Sequence, residues 1–142
     1  MKEVIDYLSS LIGNAFANIF SRTHNFTMND VFIEYIDLDS FTKKMAVVIR
    51  PLDESFELVD DGTYFDRVRF EIVALSRNDV AIDATIENMR NALIELFRNP
   101  AGCQPDLDEV VIESGSIERE IEVIDSKNSR GYKLTIEILK TL

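Results

Sequence analysis

The chain has 142 residues, 46% of them hydrophobic and 29% charged, a size and balance suited to one globular domain with one core. Fifteen basic residues against 26 acidic ones leave a formal charge of −11, which excludes a protein that grips nucleic acid through a basic face, though not one that DNA passes without being held. No apolar run approaches the roughly 20 residues of a membrane-spanning helix, and the single cysteine, Cys103, has no internal disulfide partner, as befits a reducing compartment.

The N-terminus begins with Lys2 and turns apolar, but Glu3 and Asp6 interrupt the order that a secretory leader requires. The spacing of Val4, Ile5, Leu8, Leu11, Ile12, Ala15, Phe16, Ile19 and Phe20 predicts a helix over residues 1–21, with a broad apolar stripe against a core. A polar, unpatterned stretch, SRTHNFTMND, follows. Two strand-like runs come next, Val31 to Leu38 and Lys44 to Pro51. The second is apolar almost without alternation from Met45 to Ile49, which predicts a central strand covered on one face and paired on both sides. Residues 52–64 are acidic, end in the turn signal Asp61-Gly62 and are long for a simple connection. The alternation of Phe56 and Leu58 with Glu57 suggests a protruding hairpin arm.

From Val68 the pattern is again that of a strand. Val68, Phe70, Ile72 and Ala74 share one face, and Arg67, Arg69 and Glu71 share the other. Ser76, Asn78 and Asp79 are alternative caps for a second helix over 79–98, whose seam is Ile82, Ile86, Met89, Leu93 and Leu96. Arg98 suits its C-terminal end and Pro100 stops it. The last third predicts an antiparallel hairpin over 117–139. Ile117, Ile121 and Val123 alternate with Glu118, Glu120 and Glu122, a turn spans Ser126 to Gly131, and Tyr132, Leu134, Ile136 and Ile138 line the return strand. No linker or internal repeat interrupts the chain. The expected architecture is one α+β domain over 1–142, a mostly antiparallel four- to five-stranded sheet with two helices packed on one face.

Residues that carry chemistry are few. The one histidine, His24, stands in a polar stretch without Cys or His at metal-ligand spacing and reads as a surface residue. No His lies near Cys103 to activate its thiol, so it reads as a bystander. No glycine-rich phosphate loop and no nucleophile elbow occur, so no catalytic, cofactor-binding or metal-ligating residue is assigned and no enzyme is expected. The face of Glu118, Glu120 and Glu122 reads as a solvated strand face balanced by Arg119, Lys127 or Lys133, and alternatively as a place where repelling carboxylates meet a cation or a partner. Tyr64 and Phe65 read as core or, beside the acidic arm, as anchors of a subunit contact.

The stretch from Phe65 to Leu96, FDRVRFEIVALSR running through a polar corner into DVAIDATIENMRNAL, resembles the central strand–helix unit of the tail terminator and tail completion proteins of long-tailed phages. The leading helix and the closing hairpin extend the resemblance over nearly the whole chain, through order and length of elements more than through particular residues. The resemblance implies a ring, usually of six subunits, that caps the tail tube and joins it to the head, with DNA crossing its channel without specific binding. It also implies as partners the chain itself, the tail tube protein and a head-completion or neck protein, with assembly in the host cytoplasm and a final place in the virion neck. On that expectation Phe56, Leu58, Tyr64 and Phe65 are the candidate subunit interface, and Glu118, Glu120 and Glu122 the candidate lumen or interface face. Other neck-ring components share this architecture. The competing readings are a stand-alone bacterial adaptor domain and a carboxylate-based hydrolase.

Overall fold

The computed structural model describes residues 2–35, 45–58, 62, 64–77, 83–98, 110–124 and 127–141. Helix α1 (Lys2–Phe20) buries Val4, Leu8, Leu11, Ile12, Ala15, Phe16 and Phe20, as its periodicity requires. The stripe is narrower than expected at its far end, where Ile19 is 41% exposed. The chain then folds back, with the Phe26 amide donating to the Phe20 carbonyl at 3.3 Å. This turn drives Phe26 into the core, 5.5 Å from the Phe16 ring, while Phe20 lies 5.6 Å from Phe16. Thr27 caps a short 3-10 helix (Met28–Asp30) reciprocally with Asp30: its hydroxyl accepts from the Asn29 amide, and its own amide donates to the Asp30 carboxylate at 2.9 Å. The polar appearance of residues 21–30 thus conceals one core aromatic and a defined turn.

Five strands follow: β1 (Val31–Ile33), β2 (Met45–Leu58), β3 (Tyr64–Arg77), β4 (Val110–Ile124) and β5 (Lys127–Thr141), with helix α2 (Asp83–Arg98) between β3 and β4. They form one sheet in the order β1-β2-β3-β5-β4, antiparallel throughout except that β1 and β2 are parallel. The fold is therefore α+β with a mostly antiparallel sheet, as the pattern of elements predicts. Cross-strand rows Val47–Ala74–Tyr132 and Ile49–Ile72–Leu134 face the helices and interlock with Leu8, Phe16, Met89 and Leu93. The sheet's other face holds a smaller apolar cluster of Val48, Val73 and Leu75, with Phe32 against it.

Four expectations need correction. The first strand ends at Ile33, because Glu34 turns into the left-handed region (φ 69°) while its amide donates to the Ile49 carbonyl at 2.8 Å. Residues 36–44 lie outside the described ones. The segment Met45–Ile49 is buried on both faces, not one, which explains why its apolar run does not alternate. Ser76 caps nothing. It is a fully buried strand residue opposite Met45 and Arg130, while Asn78, Asp79 and Ile82 lie outside the described residues. Finally, Asn128 to Gly131 are strand and not turn, pairing with Val123 to Glu120.

That last difference has a steric cause. β5 has a neighbour on each side, so the ladder outweighs the turn tendency of Asn, Ser and Gly. Gly131 is required there, because a Cβ at this position would overlap the backbone carbonyl of Ala74. Gly131→Ala is expected to lower unfolding free energy by about 1–3 kcal/mol, an overpacking cost that the backbone cannot relax locally. Urea denaturation of the two chains checks it.

Candidate assembly surface

The far half of the β2–β3 hairpin is the part of the sheet that the core does not need. β1 covers only Val47 to Ile49 of β2, so beyond them the outer edge of β2 has no strand partner among the described residues. A register shift between Pro51 and Asp53 sets Leu52 out of the ladder, and pairing then resumes to Leu58 opposite Tyr64. Residues 53–58 are thus a paired strand. Proline, a bulge and a density of acids are the devices by which natural sheets discourage indiscriminate pairing at an exposed edge.

Alternation decides what each face presents. Glu54, Phe56 and Leu58 share the helix-side face with Tyr64 and Asp66, beyond Val68, a member of the core cluster that is buried there. Phe56 is 68% exposed, Leu58 61% and Tyr64 51%. Three large apolar side chains in adjacent ladder rows make an exposed patch, the kind of feature that marks an interaction site. Of the four predicted interface residues, Phe56, Leu58 and Tyr64 are brought together. Phe65 is not: it is half-buried on the opposite face, across from Glu57. Neither Tyr64 nor Phe65 belongs to the core clusters.

The face away from the helices is a charge ladder. Arg50 pairs with Glu71 at 3.1 Å, Arg69 with Asp53 at 2.8 Å, and Arg67 lies between Glu57 at 3.3 Å and Glu137. Lys133 pairs with Glu118 at 3.0 Å. Such half-exposed pairs contribute about 0–1 kcal/mol each, so their main effect is on register and solubility. Positions 118, 120 and 122 share this face, opposite Lys133, Gly131 and Ser129. The Glu118 side chain is exposed, while the side chains of Glu120 and Glu122 lie outside the described residues.

One pair of residues went unnoticed in the sequence. Asp66 is 5% exposed, and its Oδ1 is buried without a hydrogen-bond partner. Glu54, exposed on the neighbouring strand, has its carboxyl pushed above the ordinary range by a hydrogen bond to Asp66, with slight desolvation and the Asp66 charge adding to it. The signal was present, because Asp66 continues the parity of Val68, Phe70 and Ile72 and so puts an acid on an apolar face. Since the folded protein prefers protonated Glu54, the hydrogen-bonded pair stabilises fully below the ordinary glutamate pKa. That contribution is lost as pH rises through the raised value. Glu54→Gln, which keeps a donor and removes the repulsion, is expected to raise the melting temperature at pH 7 by about 1–2 °C. At pH 3.5 it should change nothing; melting curves at both pH values check this.

His24 lies half-buried with its ring edge-on to Phe20 at 5.3 Å and its Nδ1 2.7 Å from the Thr23 hydroxyl. Cys103 is outside the described residues. Among the described residues no group of three His, Cys, Asp or Glu could hold a metal ion, and no helix is long and apolar enough to cross a membrane. The arrangement suits recognition: an apolar hairpin end, an open strand edge and an acid pair beside it. Comparison of the chain with protein-family models and with curated proteins finds no match.

Proposed function

We propose that the chain is a structural tail terminator of a long-tailed phage or prophage, a ring that caps the tail tube and joins it to the head while DNA passes through. The observation that carries the reading is the hairpin of β2 and β3, which exposes Phe56, Leu58 and Tyr64 where a single chain has no use for them. A ring gives that patch and the open sheet edges a neighbour to rest on. The charge of −11 fits a channel that repels phosphates, so that DNA slides without sticking. The partners are further copies of the chain, the tail tube protein and a neck protein. The protein assembles in the host cytoplasm and ends in the virion.

Mass in solution, by light scattering or native mass spectrometry with and without polymerised tail tube, tests the proposal. A hexamer, or a monomer that becomes a ring on the tube end, supports it. A monomer indifferent to tubes overturns it and favours an adaptor domain. Replacing Glu118, Glu120 and Glu122 together by lysine is expected to block or slow DNA passage, read as a loss of infectivity in particles of normal appearance. Normal infectivity would remove the acidic-lumen assignment.

A further inference from the structure

The two long edges of the sheet carry charges of opposite sign on the same side that make no ion pair among the described residues. At one edge Glu54 stands on β2, beside the buried Asp66 of β3, whose Oδ1 has no hydrogen-bond partner. At the other is β4, whose outer edge meets no strand among the described residues. There Arg119 is exposed, makes no ion pair among the described residues, and lies opposite Tyr132, hence on the helix side like Glu54. We propose that Arg119 of one copy docks on the Glu54–Asp66 pair of the next, joining the open edge of β4 to the open half of β2. The inference rests on the ring reading and supplies its contact.

Three features of the sheet support this pairing. β2 and β5 run one way and β3 and β4 the other, so a neighbouring β2 beside β4 is antiparallel and keeps both helix layers on one side of the joined sheet. β1 blocks β2 along Val47 to Ile49, so an incoming β4 must seat on the arm, where Glu54 stands. Within one copy the β4 residue level with Glu54 is Ile112, and Arg119 lies six ladder steps further, from Ile138 to Tyr132 along β5. The contact therefore staggers successive copies by roughly 20 Å along the strands. Such a stagger tilts the strands against the ring axis, as closing a sheet into a cylinder requires. Because the two edges differ, the contact is head-to-tail, the type that generates rings. A guanidinium over Glu54 would also offset both carboxylates at once.

The test uses the full chain and three variants, Arg119→Glu, Glu54→Arg and the two combined, with association measured by sedimentation velocity with and without tail tube. Each single variant is expected to weaken association by about tenfold or more, and the double variant to recover most of the loss. Both side chains are exposed, so melting temperatures should stay near the wild-type value, and each single variant reads the same contact independently. Oligomers indifferent to both single variants would overturn the edge contact and leave the ring standing. A wild-type chain that is monomeric at every concentration, with and without tube, would overturn both. Association that appears only with added magnesium and vanishes in Glu54→Gln would assign the acid pair to a cation and overturn the role of Arg119.

Discussion

Replacing Phe56, Leu58 and Tyr64 together by serine is expected to abolish ring formation while leaving the fold intact. All three are exposed and belong to neither apolar cluster, so the isolated domain loses little; substitutions at such positions usually change stability by less than about 0.5 kcal/mol each. In an assembled ring the same side chains would be buried, where each is worth up to about 1.5–3 kcal/mol, with aromatic anchors dominating. Losing all three should weaken association by at least about a thousandfold, even allowing for non-additivity. Light scattering on the tail tube reads the loss, and an unchanged melting curve shows that it is not a folding defect. Rings that form as well as wild type would mean that the hairpin end is not the contact. Phe65→Ser serves as the comparison, since its side chain lies on the other face and should have the smaller effect on association.

The largest effect on stability is expected at Phe16. Its ring is fully buried, 5.6 Å from Phe20 and 5.5 Å from Phe26, and joins α1 to the turn that follows it. Phe16→Ala removes the transfer free energy of the ring and leaves a cavity that a helix on one side and a sheet on the other cannot close. The expected loss is about 3–5 kcal/mol, a large fraction of the stability of a domain this size. Urea unfolding should show a lower midpoint with an unchanged slope, which separates lost packing from a change in the denatured state. Phe56→Ala removes a residue of the same type from an exposed site and should move the midpoint hardly at all.

The arginine ladder, with Arg50, Arg67 and Arg69 each facing carboxylates across strands, shows why the acidic composition does not become a uniformly acidic surface. Cross-strand neighbours are set by register, and the register places nearly every described arginine of the ladder beside an acid. Glu118, read in the sequence as part of a strand face balanced by Arg119, Lys127 or Lys133, pairs with Lys133 for the same reason. The charge that bears on DNA passage is therefore the net charge of the assembled surface and not that of one strand.

Local pattern by itself determined α1, the seam of α2 at buried Met89, Leu93 and Leu96 with half-buried Ile86, the two faces of β3 and the α+β class, because these follow from side-chain periodicity along one element. It also brought out Phe56 and Leu58 as residues of an arm outside the core, while for Tyr64 it allowed both core and subunit contact. Only the tertiary structure decided the rest. The parallel pairing of β1 with β2, the central place of β5, the strand conformation of Asn128 to Gly131 and the burial of Phe26 all depend on what another segment places alongside. The meeting of Glu54 with Asp66 was settled the same way, by a strand register that one bulge at Pro51 resets, whereas Phe65 parts from Tyr64 by simple alternation along β3. Periodicity is a property of single elements, whereas register, edges and shared protons belong to pairs of them.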